Sequence, residues 1–206
     1  MKRLMLVLSA TAALAGTAAA TAAAPTVTLS QDRRTVFFGG TITLSGEITP
    51  AAGNQKVTIT QDPQDRPART TEVTTGTDGS FSLEVQPRIQ TIAEAKYQTA
   101  SSDQLIMFVR PRVSLRRLSH GRFAVNVVAG RSFVGSYVRV TRWDRTRHQW
   151  RTIKRVYLTR YAKTSGASTA TFSLRVRRTV KLRAFLSRPE AQPGYLDSWS
   201  NFIVVR

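Results

Sequence analysis

The chain has 206 residues, no cysteine and a formal net charge of +19 at pH 7. Without thiols it forms no disulfide, no Cys-type zinc centre and no cysteine nucleophile. Each module must then hold itself by burial alone, which takes on the order of a hundred residues rather than forty.

Residues 1–24 open with Lys2 and Arg3, continue through an uncharged apolar run from Leu4 to Ala15, and end on Ala22-Ala23-Ala24 before Pro25. A short positive head, an apolar core and a small-residue exit read as a secretory signal peptide, which places the rest of the chain outside the cytoplasm, secreted or in the cell envelope. The alternative is a retained anchor. The second half of the run is Ala/Thr-rich, and no basic stop-transfer cluster follows, so cleavage is the preferred reading.

Charge divides the remainder. Residues 25–110 hold eight Lys/Arg and nine Asp/Glu, a net of −1. Residues 111–206 hold 21 Lys/Arg and only Asp144, Glu190 and Asp197, a net of +18. The two segments also open and close alike. Pro25-Thr-Val-Thr-Leu29 matches Pro111-Arg-Val-Ser-Leu115, and Ser102-Asp-Gln-Leu-Ile-Met-Phe-Val-Arg110 matches Ser200-Asn-Phe-Ile-Val-Val-Arg206. Matched ends around similar lengths indicate a tandem repeat. The expected organisation is a signal peptide at 1–24, a near-neutral domain at 25–110 and a basic domain at 111–206. The Val109-Arg110-Pro111 link is too short to be slack, so a stiff arrangement is expected.

Within both segments the hydrophobic period is two. Thr41 to Ser45, Lys56 to Thr60, Ser80 to Val85, Thr171 to Val176 and Val180 to Leu186 alternate, and each predicts a strand. Turns fall at Phe38-Gly39-Gly40, Ala52-Gly53-Asn54 and Thr77-Asp78-Gly79. Arg88 to Tyr97 is the best helical window, but the repeat requires a strand there. About seven short strands per segment predict an all-β chain of two tandem immunoglobulin-like β-sandwich domains, with an OB-fold barrel as the alternative for the basic one.

The N-terminal segment resembles Ig-like repeats of proteins exported by high-GC bacteria. The resemblance lies in Val27-Thr28-Leu29, Val36 to Gly46, Thr77 to Phe81, Pro87 and Val109-Arg110-Pro111. The C-terminal segment is similar to a companion repeat through Phe133-Val134-Gly135, Trp150, Leu182-Arg183-Ala184, Pro193-Gly194-Tyr195 and Ser200-Asn201. The resemblance implies binding or spacer modules outside the cytoplasm and carries no catalytic residue.

Catalytic patterns are sparse. His120 and His148 sit in turn sequences without metal-ligand spacing, and neither an esterase elbow nor a phosphate loop occurs. Asp62 and Asp65 flank Pro63 with too few oxygen ligands for calcium, and Asp78 belongs to a tight turn. No catalytic residue, metal site or cofactor is assigned.

Residues 139–160 draw the eye instead: seven arginines, one lysine, two tryptophans and a tyrosine in 22 positions. Candidate contacts for an anionic partner are Arg139, Arg142, Arg145, Arg147, Arg151, Arg175, Arg177, Lys181 and Arg183. Candidate aromatic contacts are Trp143, Trp150, Phe185, Tyr195 and Trp199. Trp143 to Trp150 is expected to be a loop. Arg139, Arg175, Lys181 and Arg183 are expected to share one solvent face with Phe185, and Tyr195, Asp197 and Trp199 to line a sugar-sized recess. Arginine suits bidentate phosphate or carboxylate contacts. The expected partner is an anionic wall polymer, acidic polysaccharide or lipid head group. Nucleic acid fits the charge and aromatics but not export. A GC-rich genome would account for arginine over lysine, but not for the neutrality of the neighbouring segment. A scaffold without a specific ligand is the alternative.

Overall fold

The computed structural model describes residues 24–176 and 179–206, so the expected signal peptide, apart from Ala24, and Arg177 lie outside the described residues. The N-terminal half runs β1 (Thr26–Val27), β2 (Ser30–Gln31), β3 (Thr35–Phe37), β4 (Ile42–Thr49), β5 (Lys56–Pro63), β6 (Arg69–Thr74), β7 (Ser80–Val85), β8 (Thr91–Tyr97), β9 (Ala100–Ser101) and β10 (Leu105–Arg110). The C-terminal half runs β11 (Arg112–Ser119), β12 (Arg122–Val128), β13 (Tyr137–Asp144), β14 (Gln149–Tyr157), β15 (Arg160–Ala162), β16 (Ala167–Ser173), β17 (Val180–Leu186), a one-turn helix α1 (Arg188–Ala191), β18 (Ser198–Trp199) and β19 (Ile203–Val205).

Each half is a two-sheet sandwich of immunoglobulin-like connectivity. In the first, β1-β4-β2 with β7 on β4 faces the sheet β3-β10-β8-β5-β6, which also carries β9. In the second, β11-β12-β16-β15 faces β14-β13-β17-β18, with β19 on β17. The crossovers repeat: β4 and β5 lie in opposite sheets and are rejoined by β7 and β8, as β12 and β13 are by β16 and β17. The matched opening sequences pair with β4 and β12, and the matched closing strands pair with β8 and β17. The basic half is thus an open two-sheet sandwich, which overturns the barrel alternative. The window Arg88 to Tyr97 contributes strand β8 and not a helix.

Alternation builds the cores. Ile42 and Leu44 on β4, Val57 and Ile59 on β5, and Leu182, Ala184 and Leu186 on β17 are fully buried, while the residues that alternate with them within each strand are not. Burying one such aliphatic side chain contributes about 1.5–3 kcal/mol. Gly79 (φ +81°) closes the turn before β7, and Asp78 Oδ1 accepts from the Ser80 N–H at 3.0 Å and hydroxyl at 2.7 Å.

The halves meet without slack, since β10 ends at Arg110 and β11 starts at Arg112. The Tyr195 hydroxyl donates to the Arg88 carbonyl at 2.6 Å and accepts from the Gly130 N–H at 2.9 Å. Gln90 N–H donates to Gly194 O, Leu196 N–H to Val109 O and Arg112 Nε to Phe38 O, all within 3.0 Å. A Cβ on Gly194 would fall 2.4 Å from Ile89, so only glycine allows this approach.

Candidate functional site: a cation–aromatic sheet face

The sheet β14-β13-β17-β18 presents its inner face to the core through Val138, Val140, Leu182, Ala184 and Leu186. The opposite face follows from register. Arg139 lies opposite Phe185, Thr141 opposite Arg183, Trp143 opposite Trp150, and Phe185 opposite Trp199. Directly paired residues in antiparallel strands share a face, so these side chains are neighbours on the outside.

They form a ladder of rings and cations. Phe185 stacks on Trp199 with centroids 3.6 Å apart and planes 19° apart. Arg183 Cζ lies 3.6 Å from the Trp199 centroid and 4.1 Å from that of Trp150. Trp150 meets Trp143 edge-on at 5.5 Å, and Trp143 meets His148 at 6.4 Å. A second row continues the face: Arg155 Cζ lies 5.2 Å from Tyr137, which packs on Tyr157 at 5.6 Å. Lys181 Nζ sits 4.9 Å from Phe202 at the other end. Each such cation–ring contact contributes about 0.5–2 kcal/mol, depending on how dry it is. Arg155 and Tyr157, though inside residues 139–160, and Tyr137 and Phe202 were not among the candidate contacts, although Tyr137 and Arg139 alternate on β13 as Arg155 and Tyr157 do on β14.

Trp143 and Trp150 do not lie in a loop, as the sequence suggested. They form the cross-strand pair that precedes the turn. The connection is only Arg145 to His148, tightened by Asp144 Oδ1 accepting from the Thr146 and Arg147 N–H groups at 3.1 and 3.2 Å. Those N–H donors, Arg147's foremost, hold the Asp144 carboxyl below its ordinary range, and Arg151 helps from 3.5 Å.

Of the nine basic candidates, the eight that are described fall into separate groups. Arg139, Lys181 and Arg183 share the ladder face. Arg142, Arg145 and Arg175 line a groove of about 760 Å³ over Ile153, Leu174 and Val176, which borders the ladder at Trp143 and Lys181. Arg151 lies opposite Arg142 and is paired with Asp144, and Arg147 is exposed in the turn. Arg175 was expected beside Arg183 on a strand running from Thr171 to Val176, but β16 ends at Ser173 and Arg175 lies in the link that follows it, with a groove between it and β17.

Tyr195 is 3% exposed and committed to the junction, where it packs edge-on against Phe133 at 5.8 Å. Burial pushes its hydroxyl pKa up. Asp197 faces Arg110 at 3.7 Å. The expected recess of Tyr195, Asp197 and Trp199 therefore does not exist: the first two join the halves and the third belongs to the ladder.

All three carboxylates of the basic half are engaged away from the ladder's cations. Glu190 Oε2 accepts from the Tyr137 N–H at 3.1 Å, Asp197 faces Arg110, and Asp144 serves the turn and Arg151. Among the described residues no three His, Asp or Glu side chains gather as a metal site, and no helix is long and apolar enough to cross a membrane.

No known protein family and no curated protein matches the sequence. Among solved structures, similarity is found to a tetra-tandem repeat in the extending region of a large adhesion protein, at 16% identity and a TM-score of 0.38, covering 88% of this chain and 49% of that one. A marsupial T cell receptor is similar at 9% identity and a TM-score of 0.32, covering 86% of this chain and 100% of that one. Bovine butyrophilin is similar at 10% identity and a TM-score of 0.39, covering 89% and 98%. This chain thus spans about half the length of the adhesion-protein segment.

Proposed function

We propose that the protein is a non-catalytic binding protein that works outside the cytoplasm, with residues 1–24 as its export signal. The N-terminal half acts as a near-neutral spacer, and the basic half docks on an anionic polymer of the cell envelope. One observation carries the reading. The basic half holds 21 Lys/Arg against three carboxylates, and among the described residues none of the three forms an ion pair with a cation of the ladder face. A cationic surface left unneutralised concentrates polyanions and speeds their encounter. A plain scaffold role accounts for the tight junction between halves but not for the placement of charge in one of them.

The test is retention of the whole chain on a sulfated-polysaccharide matrix as a function of salt. Binding should weaken steeply with ionic strength. Arg139→Glu with Arg155→Glu should flatten the log–log salt slope by about 2, near 1 per cation removed. Arg33→Glu with Arg69→Glu, in the N-terminal half, should leave it unchanged. Equal effects of the two pairs would refute docking through the basic half.

A further inference from the structure

Arg183 differs from every other arginine on the ladder face. Its Cζ lies over two indole rings at once, Trp199 at 3.6 Å and Trp150 at 4.1 Å. A guanidinium donates hydrogen bonds only within its own plane, so this stacking leaves the donor edge as its one route to a partner. Nε is buried without an acceptor, and among the described residues no carboxylate or carbonyl accepts from the Arg183 side chain. Partial burial pulls its pKa below the ordinary arginine value. Structural arginines inside proteins are normally paired. This one packs against two rings and has no internal partner for Nε.

We propose that Arg183, held against Trp150 and Trp199, is an oxyanion receptor: with Nε buried, its Nη1–Nη2 edge takes one phosphate or carboxylate group of the bound polymer. The proposal rests on the polyanion reading for the kind of partner and adds the residue and the chemical group. Packing on two rings orients the fork before binding, so less side-chain entropy is lost when a bidentate oxyanion arrives. Lys181 lies two residues along β17 on the same face. Arg139, opposite Phe185, sits one same-face step the other way. Same-face positions on a strand recur about every 7 Å. An extended polymer with one charge per repeat would therefore run along β17, with Arg183 at the centre of three cations.

The chain contains three tryptophans, Trp143, Trp150 and Trp199, and all belong to this ladder. Intrinsic tryptophan emission of the whole chain thus reads this face. The experiment titrates the chain with polyphosphate and, separately, with polygalacturonate at constant ionic strength. A saturable emission change is expected with at least one polymer, and the responsive one identifies phosphate or carboxylate as the group taken. Arg183→Lys keeps the charge but loses the planar fork, and should weaken that binding about tenfold. Arg122→Lys, on the opposite sheet, should stay within about twofold of the parent by the same measure. A variant-free arm labels the unaltered chain with phenylglyoxal: bound polymer should protect Arg183 severalfold and leave Arg122 reactive. Binding by sedimentation with unchanged emission, no protection of Arg183 and equal affinities of the two lysine variants would overturn the Arg183 site while leaving polyanion docking intact. Absence of sedimentation with both polymers would remove both.

Discussion

Gly46 lies in the middle of β4, a position where propensity alone would favour a branched residue. A Cβ there would stand 2.1 Å from the Thr28 carbonyl oxygen and 2.5 Å from the Phe81 ring, so backbone and ring occupy its space. Gly46→Ala should cost roughly 2 kcal/mol or more through overpacking, read as a lowered urea midpoint at unchanged slope. Four aspartates set the acid limit. Asp32 is held below its ordinary value of 3.8 chiefly by the Thr43 N–H, Asp65 by the Arg66 side chain, Asp78 by the Ser80 hydroxyl and Asp144 by the Arg147 N–H. Folded values below unfolded ones mean their stabilisation is complete above the carboxylate range and disappears as pH falls through the lowered values. The thermal midpoint should hold level from pH 7 to about 5 and drop below about pH 4, more gently in Asp78→Ala. A midpoint level down to pH 2 would contradict this. The Asp78-Gly79 turn was legible because its chemistry is local. The burial of Tyr195 was not, since its Pro-Gly-Tyr setting is that of an exposed loop and the wall that covers it comes from Arg88 and Gly130, far away in the chain.

The hairpin β13–β14 shows the same division among elements. Alternation around Val138 and Val140 announced the first strand. The strands run on through Trp143 and Trp150 because the two indoles pack across them, which the dense polar residues between had obscured. At the tip His148 adopts φ +48°, where a Cβ is unfavourable. His148→Gly should raise stability by up to about 1 kcal/mol, the relief of strain exceeding the added freedom of the unfolded chain. Differential scanning calorimetry would show it as a higher transition. In the middle of the sheet Leu182 is fully buried. Leu182→Ala should cost about 2–5 kcal/mol by the same measurement, and should also loosen the ladder, since Arg183 shares its strand. Which strands share a sheet was the part the sequence hid. Residues 171–176 and 180–186 both alternate and are near in sequence, yet β16 stops at Ser173 in one sheet and β17 lies in the other, which leaves Arg175 off the ladder sheet and away from Arg183. The stacking of Trp199 on Phe185 likewise depends on a pairing that no local pattern encodes.

Across the whole molecule, the joint between the halves is a packed interface. One hydroxyl, that of Tyr195, serves two backbone groups on opposite sides of it. Tyr195→Phe leaves both without that partner and should cost about 1–3 kcal/mol. The expected signature in calorimetry is the separation of one unfolding transition into two, as the halves lose their coupling. Charge asymmetry was legible from composition alone, because net charge needs no fold to be counted. Its distribution into a ladder face and a groove bordering it was not, because that depends on which side of each strand meets solvent. The passage of β10 directly into β11 has a mechanical consequence. A pull applied to the two ends finds no spare contour at the joint. It loads the parallel β3–β10 pair in shear, with Thr35, Val36 and Phe37 bearing against Phe108, Val109 and Arg110. Under tension the molecule would act as a strut that lengthens in abrupt steps, one for each sandwich that ruptures, and not as a spring.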